Sequence, residues 1–312
     1  MNIKRLKDLC KGITDTSFQY PGLLGRSGYS CAQLTHIART WLRQFQLSNI
    51  DFLRSLEYTA ESKNKGVTIV TYTYPQHEDD FIQVEFAILH TWRMLGRMNT
   101  TIVANKPFQR LKDFAAKWND SITLQFQPAL TSGTNRCLSY ECLKSLHKRF
   151  SSPYCLTIQD DGFPMQANLS DFLGKYDFLG APLIRARVWP LEILIEKSHS
   201  AWLNGGFSLR TMKICQAAAQ CFQRWEQSAS NPEGYPQEDY FFTKTARSYP
   251  DFERAIKFPP LQRAREFSAQ DLFGCVNIHA RKYSSFGFHG PTTAIQLIPE
   301  FRTMGYTIPH LP

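Results

Sequence analysis

The chain has 312 residues, 43% hydrophobic and 20% charged, a globular balance that excludes disorder as its main state. Lys and Arg outnumber Asp and Glu by 36 to 27, for a formal charge of +9. No window of about 18 apolar residues exists, which excludes a membrane-crossing helix, and the basic Met1–Leu9 start has no apolar run behind it, so a cytoplasmic chain is expected.

Residues 1–65 hold ten basic and five acidic side chains and read as a basic helical extension. Within it, Cys31–Leu56 carries Leu34, Ile37, Ala38, Trp41, Leu42 and Phe45 at three-and-four spacing, the stripe of an amphipathic helix. Such a helix caps a larger unit, and its cations offer a face to anionic lipid or a carrier phosphate, a peripheral membrane contact.

From Gly66 the pattern alternates. Val67–Tyr72 is β-branched and reads as a buried strand. Phe81–Met98 follows as a helix, with Phe81, Val84, Ile88, Trp92, Leu95 and Met98 on one face. Thr101–Ala104, Ser121–Phe126 and Tyr154–Ile158 read as strands; Pro107–Trp118, with proline in its first turn, and Asn135–Phe150 read as helices. Parallel strands need crossovers, so this order predicts an α/β fold whose leading strands form a parallel sheet flanked by helices. The domain expected runs over residues 66–312.

Eight cysteines are scattered without a C-x2-C pair; reduced structural thiols are expected, not a zinc site. In a wound sheet, ligands bind beyond the carboxyl ends of the strands, which singles out the loops Thr73–Asp80 and Gln159–Gly162. Neither a dinucleotide nor a P-loop glycine fingerprint is present. The strand ending at Ile158 runs into Gln159, Asp160, Asp161 and Gly162, placing oxygen ligands at that crevice. An ordinary turn has the same composition. Asn204-Gly205-Gly206 sits inside a strand-like run, where paired glycines allow a ligand close to the backbone. Glu238 and Asp239 precede an aromatic helix start, as helix caps or as a general base. His289 lies in Phe286-Gly-Phe-His-Gly290, a structural imidazole or a metal ligand.

Five blocks in order, Gln-x-Asp-Gly-Phe (159–163), Tyr-Asp-Phe-Leu-Gly-Ala-Pro (176–182), Asn-Gly-Gly-Phe-Ser-Leu-Arg (204–210), Gln-Glu-Asp-Tyr-Phe-Phe (237–242) and Phe-Gly-Phe-His (286–289), resemble the DUF5672 family over about residues 66–290. The resemblance implies a GT-A-like fold, a single Rossmann-like mixed sheet flanked by helices, and a glycosyltransferase. It implies that Asp161, at the last position of an Asp-x-Asp-type motif, and His289 bind a divalent cation, Mn²⁺ or Mg²⁺. Gln159 stands where wider GT-A enzymes carry the first aspartate, which weakens the metal site. The same resemblance puts Thr71 and Tyr72 near the nucleobase and gives Gln159 and Asp160 to the donor. Asn204, Gly205, Gly206 and Arg210 then line the donor and acceptor, and Asp239, with Glu238 beside it, is the base of an inverting displacement. The partners implied are a nucleotide-sugar donor and a glycan or lipid-linked acceptor, in surface polysaccharide synthesis. The competing reading is a non-catalytic nucleotide-sugar or nucleic-acid binding protein. No nucleic-acid-binding motif appears, so no nucleic acid partner is expected.

Overall fold

The computed structural model describes residues 31–128, 135–182, 203–228, 237–270 and 284–310. Residues 1–30 of the basic extension, with Lys4, Arg5, Lys7, Lys11 and Arg26, lie outside that set, as do Cys10, Trp202, Pro236 and Cys275.

In chain order the elements are α1 (Cys31–Arg54), β1 (Val67–Thr73), α2 (Phe81–Leu95), β2 (Thr100–Ala104), α3 (Gln109–Lys117), β3 (Ile122–Phe126), α4 (Asn135–Ser145), β4 (Tyr154–Thr157), β5 (Gly162–Pro164), β6 (Phe178–Pro182), β7 (Leu203–Thr211) and α5 (Met212–Ser228). Then come α6 (Glu238–Tyr240), α7 (Pro250–Ala255), α8 (Leu261–Phe267), β8 (Ser268–Gln270), β9 (Gly287–His289), α9 (Pro291–Gln296) and α10 (Ile298–Thr303). Every expected strand and helix forms, with shifted ends. Pro107 falls outside α3, because Phe108 takes extended dihedrals and the helix begins at Gln109. The helix expected to reach Phe150 stops at Ser145, and a 3₁₀ turn covers Leu146–Lys148.

The main sheet has the order β3-β2-β1-β4-β7-β6. β1 pairs in parallel with β2 and β4, and β2 with β3, as the alternation requires. β7 then enters antiparallel between β4 and β6, so the sheet is mixed. The chain winds from β1 outward to β3 and returns to β4 on the other side of β1. That reversal opens a crevice beyond the carboxyl ends of β1 and β4. A second sheet, β5-β9-β8, stands at that end.

Helices cover both faces. On one, Ile69, Ile102 and Leu209 pack with Phe86 and Ile88 of α2, Leu111 of α3, and Phe163 and Phe288 of the small sheet. Trp41, Leu42 and Phe45 of α1 belong to this same core, so α1 packs as the expected cap. On the other face, Val70, Val103 and Cys155 meet Leu138 and Cys142 of α4, Ile214 and Phe222 of α5, and Phe241 and Phe242 after α6. Burying these side chains stabilises the fold by roughly 1.5–3 kcal/mol each. Cys142, Cys155, Cys215 and Cys221 are buried free thiols, and burial pushes the Cys142 and Cys155 thiols far up. No helix among the described residues is long and apolar enough to cross a membrane.

Candidate functional site

The crevice is built on two turns. Gln159 and Gly162 exchange both backbone hydrogen bonds at 3.1 Å, making Asp160 and Asp161 the central residues of a tight turn beyond β4. Asp160 keeps an open side to water. Crowding by protein and the charge of Asp161 nevertheless raise its carboxyl to about 7, with Arg39 opposing the rise. The second turn follows β1, where the Asp80 carboxylate accepts from the Gln76 and His77 amides at 3.2 and 3.1 Å. Half-buried Tyr74 lies between the two turns; burial, Asp160 and Asp161 all raise its phenol.

Antiparallel pairing of β5 with β9 sets Gly162 opposite His289, which carries the imidazole to the aspartate turn across 126 intervening residues. Its Nε2 stands 3.3 Å from Asp161 Oδ1 and 3.1 Å from Gln159 Oε1. The Gly290 amide donates to the Asp161 carbonyl at 2.8 Å, locking this corner.

β7 crosses the same place. A Cβ on Gly206 would stand 2.1 Å from His289 Nε2 and 2.5 Å from Gln159 Oε1, and one on Gly205 2.1 Å from Glu238 Oε1 and 2.4 Å from Arg210 Nη2. With the side chains as they stand only glycine fits either position, so the two glycines mark where two side-chain groups close over one strand. Asn204 Oδ1 accepts the Gly206 amide at 2.6 Å. The Gly205 carbonyl accepts from Thr157 Oγ1, Ser208 Oγ and Arg210 Nη2, each at 3.0 Å.

Arg210 is almost wholly buried, with its guanidinium over the rings of Phe178 and Phe242 at 5.0 and 4.7 Å. Its Nε donates to Ser208 Oγ at 2.9 Å, and Nη2 lies 3.5 Å from Glu238 Oε1. Glu238 and Asp239 open α6, and the chain widens at once into a π-helical stretch, Phe241–Thr245. Of the two carboxylates, Glu238 is the one set against Gly205. Asp239 is buried and its Oδ1 accepts the Tyr240 amide at 2.7 Å.

The structure therefore brings Gln159, Asp160, Asp161, Asn204, Gly205, Gly206, Arg210, Glu238 and His289 to one end of the sheet. Thr71 and Tyr72 are buried within β1. The Tyr72 ring packs in the α4/α5 core, and the Thr71 hydroxyl has no hydrogen-bond partner among the described residues. Sequence reasoning missed three members: Tyr74, Arg39 and Gln46, whose Nε2 donates to the Asp160 carbonyl at 2.5 Å. The signal for the last two was their seven-residue spacing beside the apolar stripe of α1. A groove of about 750 Å³ between α4 and α5, lined by Lys144, His147, Lys148 and Gln220 among others, contains none of these residues.

As a metal site the corner offers one carboxylate, one imidazole and one amide oxygen. No group of three His, Cys, Asp or Glu suited to a metal exists among the described residues. His289 Nδ1 is buried without a partner among the described residues, so a ligating Nε2 lacks there the acceptor that usually fixes the ring.

Such a mixed sheet, with polar groups gathered where its strand order reverses, is an α/β architecture of the wound class. A family model described as "Protein of unknown function (DUF5672)" matches residues 123–289, more than half the chain, and the chain belongs to that family. No curated protein matches. Similar solved structures include the apo-form glycosyltransferase GlyE of Streptococcus pneumoniae, at 11% identity and TM-score 0.44, covering 74% of this chain and 54% of that one. The mannosyltransferase Ktr4p of S. cerevisiae is 9% identical with TM-score 0.38, covering 76% and 77%. The mannosyltransferase PcManGT of Pyrobaculum calidifontis, in complex with GDP-Man and Mn²⁺, is 11% identical with TM-score 0.35, covering 67% and 62%. The chain spans about half the length of the first of these.

Proposed function

We propose that this protein is a glycosyltransferase that moves a sugar from a nucleotide-diphosphate donor to a hydroxyl of a glycan or lipid-linked acceptor, with inversion. The observation that carries this reading is the meeting at Gly205–Gly206 of two groups with complementary chemistry. Gln159, Asp161 and His289 lie on one side; Glu238 and Arg210 lie on the other. The donor set of the first suits Mn²⁺ or Mg²⁺, bound weakly because an amide replaces a carboxylate. When bound, the cation offsets negative charge on the departing nucleoside diphosphate. The half-buried Asn204, next to the two buried glycines, offers its amide to a sugar hydroxyl. A carboxylate of the Glu238–Asp239 pair removes the acceptor proton, Asp239 being the assigned base, while Arg210 holds its partner Glu238 in place. The reaction belongs to surface polysaccharide synthesis on the cytoplasmic side, and the excess of basic residues in segment 1–65 supports a peripheral contact with an anionic surface.

Thermal shift of the full chain with UDP, GDP and CDP, with and without Mn²⁺, tests the reading. A metal-dependent rise for one nucleotide is expected, followed by donor turnover that Asp239→Asn lowers about 100-fold without weakening donor binding. Absence of any nucleotide effect refutes the function. Wild-type turnover in Asp239→Asn refutes the base, and Glu238→Gln then identifies the alternative.

A further inference from the structure

α1 lies outside the matched family region, yet it grips both turns of the crevice. Arg43 Nη2 pairs with Asp80 Oδ1 at 3.2 Å on the turn after β1, and the wholly buried Gln46 holds the Asp160 carbonyl on the turn after β4. Arg39 precedes Arg43 by four residues and Gln46 by seven, so the three share one helical face. Arg39 differs from the other two. It is exposed and makes no hydrogen bond or ion pair among the described residues, yet it is close enough for its charge to act on Asp160 and on Tyr74.

A guanidinium carried on the face of a packed helix that holds both crevice turns, without a hydrogen bond or ion pair among the described residues, is suited to an anion that arrives with the ligand. Its planar fork matches two phosphate oxygens. The nearby carboxylates do not hold it, and a cation bound at Asp161 would reduce their pull further. We infer that Arg39 engages the diphosphate of the donor, so that α1 completes the pocket. This rests on the donor chemistry proposed above.

The test is titration calorimetry on the full chain with UDP, GDP and inorganic pyrophosphate, each with Mn²⁺, comparing wild type with Arg39→Gln and Arg39→Lys. Arg39→Gln is expected to weaken the nucleoside diphosphate that wild type binds by about tenfold or more, the scale of a charged hydrogen bond. Pyrophosphate should weaken in parallel, which assigns the contact to phosphate and not to the nucleoside. Arg39→Lys should fall between. Because Arg39 makes no hydrogen bond or ion pair among the described residues, the unliganded variants should melt with wild type. Unchanged diphosphate affinity in Arg39→Gln, or a melting temperature lowered before any ligand is added, overturns the inference and leaves the transferase reading standing. If wild type binds none of the three probes, both fall together.

Discussion

Gly206→Ala puts the site geometry to the sharpest test. The new methyl carbon would stand 2.1 Å from His289 Nε2, 2.5 Å from His289 Cδ2 and 2.5 Å from Gln159 Oε1. Ordinary contact begins near ~3.5 Å, so the imidazole must retreat by about 1.4 Å. Metal–ligand bonds tolerate departures of only about 0.2 Å. Both obstructing groups are side-chain ends, so they can swing away while the backbone stays, and overpacking should lower stability by no more than about 1–3 kcal/mol. Ligand binding should fall as well, by on the order of 100-fold, because a displacement of this size in a positioned group costs that much. Gly180→Ala is the control: its methyl would meet the Asn204 carbonyl oxygen at 2.2 Å, backbone against backbone across β6 and β7. It should therefore lose more stability than Gly206→Ala. Urea unfolding gives the stabilities, and calorimetry with Mn²⁺ and UDP or GDP gives the binding. A Gly206→Ala protein that keeps wild-type affinity would refute the convergence of Gln159, His289 and β7.

Three further outcomes follow from the packing. His90 is buried, with Nδ1 2.5 Å from the Tyr306 hydroxyl and Nε2 2.8 Å from the Pro164 carbonyl, and burial pushes its pKa down from 6.5 to about 3. Above pH 6.5 neither state carries the proton; below it only the unfolded chain does, so stability should fall by about 1.4 kcal/mol per pH unit toward pH 3. The slope of urea midpoints between pH 7.5 and 5 should flatten in His90→Gln, and an unchanged slope would rule out this residue as its source. Arg210→Lys cannot reach Ser208 Oγ and the Gly205 carbonyl together, and should cost about 1–3 kcal/mol in denaturation. Phe45→Ala removes a ring stacked on Trp41 at 5.4 Å and set against Phe301 at 4.6 Å. A loss of about 3–5 kcal/mol is expected, and a loss under 1 kcal/mol would show that α1 is not part of the core.

How much was legible beforehand can be judged element by element. β1 is Val67 to Thr73, buried at every position, and its β-branched run announced that directly. The alternation through β4 gave the parallel order of four strands. β7 read as a strand-like run broken by Gly205 and Gly206, but nothing in Leu203–Thr211 encodes its reversed direction, which depends on which edge is open when it arrives. Glu238 and Asp239 were equally plausible bases from their spacing. Their separate roles, one against Gly205 and one bonded to the Tyr240 amide, come from the start of α6 and the π-helical stretch behind it.

Hydrophobic periodicity is a local property, so the amino-acid order was enough to mark the strands, the helices and the family-like blocks from Gln159 to His289. Which of those blocks touch is decided by strand pairing and by packing of one element on another, between residues about 30 to 130 positions apart. That is why only the folded chain sets His289 beside Asp161 through β5 and β9, and why it seats α1, read from its sequence as a cap, with Arg43 and Gln46 on the two turns of the crevice.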